Sequence, residues 1–152
     1  MHLPSEVVQA IQLASELCEV GSLLIRDGAL HPSLPSGVLG LDSVAATLSE
    51  RLLLACGFKE AAEIVASVDE HFDGTGTPCA LRGDAIPIGA RILAVARDVE
   101  LTLEGRPLAM GALGAACARL EAHASRDLDP YVVQIALRTA EPHRAGRLPL
   151  AE

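Results

Sequence analysis

Apolar residues recur along most of the chain at the spacing of a helix face. In the first segment, residues 1–26, Val8, Ile11 and Ala14 repeat every third position, which predicts a helix. The same spacing predicts five further helices, over about 42–56, 59–71, 87–104, 109–123 and 129–141. No segment alternates apolar and polar residues as a half-buried strand does. The pattern therefore predicts an all-α fold class, a bundle of about six helices in a single domain over residues 1–152.

Two stretches between the predicted helices have the composition of ordered loops. Residues 27–40 hold three glycines and two prolines, and residues 72–87 read FDGTGTPCALRGDAIP. We call residues 72–87 the glycine loop. Its length without regular structure suggests a functional origin rather than a simple connection. At the other end of the chain, residues 143–152 lack helical periodicity and are expected to be frayed.

Composition and charge exclude several classes of function. Half of the residues are hydrophobic and 21% are charged, which is enough apolar material for a core and too little charge for disorder. A net charge of −8, with Lys59 as the one lysine, would repel a nucleic-acid backbone. The mean hydropathy of +0.34 is high for a lone small domain. It predicts an apolar face that is buried between subunits.

The cysteines and the longest apolar runs indicate the compartment. Cys18, Cys56, Cys79 and Cys117 are far apart in the sequence and form no CxxC motif. Three of them lie in apolar helical runs, so reduced core residues are favoured over disulfides or metal ligands. No segment has the pattern of a signal peptide or approaches the ~20 apolar residues that span a bilayer. We therefore expect a cytoplasmic protein without membrane contact.

A series of short motifs stands in order between Val68 and Arg106. It contains EHFDGTGTP, then ALRGDAIPIGARILAVA, then the pair Arg106–Pro107. This series resembles the second half of an HD-GYP domain over about forty residues without a gap, whereas residues 5–67 match more weakly. The resemblance implies a helical HD-superfamily fold, truncated here at its N-terminus. It also implies an iron or manganese centre that hydrolyses cyclic di-GMP.

This sequence departs from the family where the resemblance places metal ligands. The family's His–Asp pair becomes Arg26–Asp27, and its histidine pair before the glycine loop becomes Val68–Asp69. Its helix aspartate becomes Arg97, whereas Glu70 is retained. Valine cannot coordinate a metal, and arginine repels a divalent cation at close range. We therefore predict no metal, no cofactor and no catalytic residue, and treat these six positions as a vestigial site.

Loss of the cations would leave carboxylates without a counter-charge, which is costly where they are buried. We expect Arg97 to pair with Asp69 or Asp27 and so to balance that charge. The alternative is that Arg97 extends into solvent from an exposed helix face.

The tip of the glycine loop has two interpretations. The residues concerned are Asp73, Gly74, Gly76, Thr77 and Pro78. The fold alone can require them, because glycine permits positive φ and aspartate can bind loop amides. The resemblance implies a second role, since this loop in the family is linked to docking of GGDEF-type cyclase domains.

Three functions remain open from the sequence. The first is an inactive signalling or scaffolding domain that forms a homodimer and binds a GGDEF-type or other signalling protein, but no nucleic-acid polymer. The second is a sensor that binds cyclic di-GMP without cleaving it, with phosphate contacts from Arg82, Arg91 and Arg106. Those arginines can equally form salt bridges within the domain. The third is an active phosphodiesterase with a divergent site.

Overall fold

The computed structural model describes residues 2–26, 41–103 and 110–144, which are mainly helical. In chain order the helices are α1 (Ser5–Leu17), α2 (Val20–Arg26), α3 (Leu41–Ala55), α4 (Lys59–Ala66), α5 (Ile88–Leu103), α6 (Met110–His123) and α7 (Pro130–Arg144). A short 3₁₀ turn covers Gly83–Ala85. These ranges contain no strand, only an isolated bridge between Ala124 and Leu128. The all-α prediction is confirmed, and the predicted loop at 27–40 lies outside the described residues.

The segment predicted as one helix over 1–26 contains two helices, α1 and α2. A side chain from α3 binds the backbone where they meet: the Ser49 hydroxyl donates to the Cys18 carbonyl and accepts the Gly21 N–H, both at 2.9 Å. Gly21 also lies close to α3, since a Cβ there would stand 1.9 Å from the Ala45 carbonyl oxygen. The division therefore depends on contacts with a distant part of the sequence.

Glycine ends α3 in the manner that the sequence predicted. Gly57 has a φ of +86°, which glycine adopts without strain. The Phe58 N–H binds the Leu53 carbonyl at 2.9 Å, and the Gly57 N–H binds the Leu54 carbonyl at 3.0 Å. These two bonds form a Schellman motif, which satisfies carbonyls at the end of the helix.

Two other helix ends differ from the prediction. The helix predicted to reach residue 71 ends at Ala66, where the Ser67 and Val68 amides bind carbonyls three residues back. At the far end, α7 continues through Pro142 to Arg144, two residues into the segment expected to be frayed. The remaining residues of that segment lie outside the described ranges.

Contacts divide the chain into two compact units, residues 1–68 and residues 69–152, which we call the first and second units. In the first unit, α3 packs on α4, with α1 against α4 and α2 against α3. In the second, α5, α6 and α7 enclose an aliphatic core of Val95, Leu120, Leu128, Val132 and Val133. A single domain over 1–152 stays a prediction. Within the described ranges, no helix is both long enough and apolar enough to cross a membrane.

The cysteines differ in burial. Cys117 is buried in α6 and Cys18 is half-buried. The placement of Cys56 in the core is wrong, because it is exposed just after the end of α3. Its position in an apolar run did not reveal that the run ends in a turn at the surface.

Candidate functional site

Glu70 holds one side of the glycine loop. Its side chain is only 3% exposed, and its two carboxylate oxygens accept the N–H groups of Cys79 at 2.6 Å and Leu81 at 2.8 Å. A buried carboxylate needs such donors, because it has given up its hydration. The retained family glutamate therefore stabilises the loop backbone in this chain.

The tip of the glycine loop is ordered by its own polar groups. Asp73 Oδ1 accepts the Thr75 hydroxyl at 2.7 Å and the Thr75 N–H at 2.9 Å. These bonds hold the pKa of Asp73 below its ordinary value. Gly74 has the expected positive φ, at +86°. Gly76 is needed for space, because a Cβ there would stand 2.1 Å from the His71 backbone nitrogen.

The loop is also attached to the turn between α6 and α7. The Phe72 N–H binds the Asp127 carbonyl at 3.1 Å, and the Asp73 N–H binds the Arg126 carbonyl at 2.9 Å. His71 Nδ1 lies 3.8 Å from Asp127 Oδ1. On its other side the loop faces solvent, and its exposed residues include Thr77, Pro78, Cys79 and Ala80.

Asp127 is the charged centre of the α6–α7 turn. Arg126 binds both of its oxygens, with Nε–Oδ1 at 2.9 Å and Nη2–Oδ2 at 2.7 Å. These hydrogen bonds hold the pKa of Asp127 below its ordinary value. His123 Nδ1 lies 3.1 Å from Oδ2 of the same carboxylate. The turn that receives the loop thus has a carboxylate that contacts two basic side chains.

Arg97 pairs with Asp69, one of the two partners expected from the sequence. Arg97 Nη1 lies 2.9 Å from Asp69 Oδ1, and each side chain is 40% exposed. The pair is therefore half-exposed rather than buried. The Asp69 carbonyl also accepts the Thr77 N–H at 3.1 Å, so Arg97 binds a residue that holds the loop. The other expected partner, Asp27, lies outside the described residues.

The other vestigial positions that the structure describes are divided between the two units. Arg26 is the last residue of α2, in the first unit. Val68 is the half-buried final residue of the same unit, and Asp69 opens the second.

The three arginines considered for phosphate binding have different surroundings. Arg91 is largely buried, and its Nη1 lies 2.8 Å from Asp84 Oδ1 and 2.8 Å from Asp129 Oδ2. Asp129 in turn caps α7 by accepting the Tyr131 N–H at 2.8 Å. Arg82 is exposed, and Arg106 lies outside the described residues. A shared phosphate site stays a prediction.

The second unit contains a polar group that the sequence patterns did not reveal. Asp98 is 8% exposed on α5, and its Oδ1 accepts the Arg119 Nε–H at 2.9 Å. His123 Nδ1 lies 3.9 Å from the same oxygen. The signal was present in the sequence, because Asp98 follows Val95 by three positions and so falls on the apolar face of α5.

The described residues do not fit the metal centre that the resemblance implies. Among them, no group of three or more His, Cys, Asp or Glu side chains is arranged to hold a metal ion. The retained Glu70 uses both oxygens on loop amides, and Asp69 binds a guanidinium. We therefore derive no chemical step that passes through a metal.

An apolar groove of about 310 Å³ lies elsewhere in the second unit, between α5, α6 and α7. Val99, Leu113, Cys117 and Ala136 are among its lining residues, and Thr139 adds a hydroxyl. No charged side chain lines it, so this groove is distinct in chemistry from the charged region around the glycine loop.

Comparison with known proteins identified a family, a related protein and a related solved structure. The sequence pattern of the HD domain family matches residues 1–132. The chain is 33% identical over 147 residues to the cyclic di-GMP phosphodiesterase response regulator RpfG of Xanthomonas campestris pv. campestris, covering 91% of this chain and 38% of the relative. A solved structure of a cyclic GMP-AMP specific phosphodiesterase of V. cholerae matches with a TM-score of 0.72 at 18% identity, over 95% of this chain and 41% of the other. The chain thus spans about two fifths of the length of each relative.

Proposed function

The chain belongs to the HD domain family, in a branch related to HD-GYP, and from this premise we propose that it is a non-hydrolysing signalling and protein-interaction domain of the cytoplasm. The relatives are named as phosphodiesterases of cyclic dinucleotides. We propose that this chain has their fold but does not hydrolyse cyclic dinucleotides.

The observation that carries the proposal is the contact between Arg97 and Asp69 at 2.9 Å. Metal-dependent hydrolysis requires a divalent cation, held by carboxylates and imidazoles, that lowers the pKa of a bound water. A guanidinium bonded to the carboxylate competes with a cation for the same charge and repels it. Glu70 supports the proposal independently, because a carboxylate with both oxygens on amides has a structural task.

Metal analysis and an activity assay test the proposal directly. The purified protein is incubated with Mn²⁺ or Fe²⁺, and its metal content and its turnover of cyclic di-GMP and cyclic GMP-AMP are measured. We expect neither stoichiometric metal nor turnover, with the homologous portion of RpfG assayed in parallel as the positive control. Bound metal together with turnover would identify the chain as an active phosphodiesterase and end the proposal.

The interaction role is assigned to the exposed side of the glycine loop. Thr77, Pro78 and Cys79 are exposed there, while the backbone beneath them is held by Glu70. A loop that is already ordered loses little conformational entropy on binding. The resemblance suggests a GGDEF-type domain as partner. Binding of a purified GGDEF domain that is weakened by Thr77→Arg, but not by Ser15→Arg on α1, would support this role.

Self-association is proposed for the first unit. Five of the seven large apolar side chains that the described residues expose lie in it: Val8, Leu23, Leu52, Leu54 and Phe58. Contiguous exposed apolar side chains mark surfaces that are covered in an assembly, and Leu52, Leu54 and Phe58 lie within seven residues of sequence at and just after the end of α3. Sedimentation velocity at micromolar concentration is expected to show a dimer that Leu54→Asp converts to a monomer. A wild-type monomer under these conditions contradicts the assignment.

A nucleotide sensor is the second candidate, favoured by the exposure of Arg82 on the glycine loop and by the ligands in the relatives' names. Calorimetry with cyclic di-GMP in the presence of EDTA separates the two. Binding without metal, weakened by Arg82→Gln, would support a nucleotide sensor. If no heat of binding is measured, the interaction domain remains the proposed function.

A further inference from the structure

We infer that the Arg97 guanidinium acts as a built-in counter-charge for Asp69, in place of a metal cation, and thereby positions the glycine loop. The inference rests on the proposed non-hydrolysing function. It adds a positioning role for Arg97 and a structural consequence that can be measured without an activity assay.

Asp69 is placed to transmit the effect of Arg97 to the loop. Its side chain binds Arg97 at 2.9 Å, and its backbone carbonyl accepts the Thr77 N–H at 3.1 Å. The next residue, Glu70, binds the amides of Cys79 and Leu81. Three amides across the loop are therefore held by two adjacent residues. A shift of Asp69 would displace all three bonds.

The segment around Asp69 is acidic, and Arg97 brings a cation to it. Asp69, Glu70 and Asp73 bring three carboxylates within five residues of sequence. Asp69 and Glu70 are adjacent in the chain, and a cation beside Asp69 offsets repulsion between like charges. Arg97 supplies positive charge from α5 that does not depend on pH or on metal supply, because its guanidinium remains protonated.

The size of the effect is limited by solvent. Both side chains are 40% exposed, and pairs at this exposure contribute little to global stability. A structural pair of any kind would give the same small loss when broken. The decisive measurement is therefore whether a divalent cation can replace the guanidinium.

The experiment compares melting midpoints of the full chain in EDTA and in millimolar MnCl₂. The wild type is expected to melt at the same temperature in both. Arg97→Lys keeps the charge and most of the stability, whereas Arg97→Gln lowers the midpoint by about 1–3 °C. Arg97→Asp faces Asp69 with a second carboxylate, and its larger loss is expected to be partly reversed by Mn²⁺, since two carboxylates bind a dication. Arg138→Asp, at an exposed position of α7, is the control and should not respond to Mn²⁺.

Hydrogen exchange gives the readout at the loop. The Thr77, Cys79 and Leu81 amides are expected to exchange about threefold to tenfold faster in Arg97→Asp, and Mn²⁺ should slow them again. If Arg97→Asp does not fold, the test uses the other two variants. The same amides are expected to exchange faster in Arg97→Gln and at the wild-type rate in Arg97→Lys.

Two results would overturn the inference. One is a wild-type midpoint that falls in EDTA or rises in Mn²⁺, and the other is an Arg97→Asp protein that responds to Mn²⁺ no more than Arg138→Asp does. Failure of the proposed function is distinguishable, because it requires bound metal with turnover in the wild type. If the wild type is inactive and the melting midpoint of Arg97→Asp does not respond to Mn²⁺, this inference is wrong while the proposed function stands.

Discussion

The first and second units hold their helices together by different means. In the first, α2 lies against α3 with a glycine at the contact, and one hydroxyl, that of Ser49, bridges two backbone groups. In the second, carboxylates join the elements: Asp129 binds Arg91, Asp98 binds Arg119, and Asp69 binds Arg97. The first unit should thus be sensitive to side-chain volume, and the second to the loss of charge or of hydrogen bonds.

The largest expected effect tests the volume limit in the first unit. Gly21→Val places a side chain where even a Cβ would stand 1.9 Å from the Ala45 carbonyl oxygen, and backbone on both sides must move. We expect a loss of about 3 kcal/mol in the free energy of unfolding, measured with urea. Gly111→Ala is the control, because nothing lies within 4 Å of its Cβ position on α6. A change below about 1 kcal/mol in Gly21→Val would show that this contact is loose.

The second expected effect removes a hydrogen-bond acceptor in the second unit without changing volume. Glu70→Gln presents an amide NH₂ to one of the two N–H groups that the carboxylate accepts. One N–H beside the buried Glu70 side chain then loses its acceptor, which costs about 2 kcal/mol. Urea unfolding measures the loss, and faster hydrogen exchange at Cys79 or Leu81 locates it. The exposed Glu121→Gln on α6 serves as the matched control, and equal stabilities of the two variants would contradict the role given to Glu70.

The third expected effect comes from removing the Ser49 hydroxyl in the first unit. Ser49→Ala leaves the Cys18 carbonyl and the Gly21 N–H without their bonds, and Ser49 is only 1% exposed. The expected cost is about 1–2 kcal/mol in urea unfolding. Ser15→Ala, at an exposed position of α1, should change stability by less than about 0.5 kcal/mol. If the two alanine variants are equally stable, Ser49 does not stabilise the junction of α1 and α2.

The smallest effect is a pH dependence in the second unit. Arg126 lowers the pKa of Asp127 in the folded state, so its ion pair stabilises the fold above the ordinary aspartate pKa of about 3.9 and is lost as the pH falls through the folded value. Asp127→Asn should therefore flatten the decline in stability below about pH 4, by less than about 1 kcal/mol. Urea titrations at pH 3 to 6 measure this. An unchanged profile would mean that other carboxylates account for the decline.

The features that could be predicted are those that nearby residues determine. Helical periodicity identified the helical segments, and Gly57 marked the end of α3, because both depend on local sequence. The division between α1 and α2 could not be found this way, since Ser49 is about thirty residues from it. The sequence also did not show that position 76 has no room for a side chain. This requirement arises from the close approach of the His71 backbone and not from a positive φ.

The candidate site could be predicted in part, where opposite charges were expected to pair. The resemblance places Arg97 at a metal-ligand position of the family, which led to the expected pair with Asp69 or Asp27. Arg97 contacts Asp69, although the half-exposure of this pair was not foreseen. The group formed by Asp98, Arg119 and His123 was missed because the sequence does not show which residues of α6 lie beside Asp98 on α5. Which side of a helix is covered depends on the packing of α5 against α6, and that is a property of the folded chain.

The arrangement at Cys79 has a practical consequence for spectroscopy. Its amide is fixed by Glu70 while its thiol is exposed, whereas Cys117 is buried in α6. Cys56 is the other exposed thiol, so the variant Cys56→Ser leaves Cys79 as the accessible attachment point for a spin label or fluorophore. Such a probe would report arrival of a binding partner at the glycine loop, with no foreign cysteine introduced.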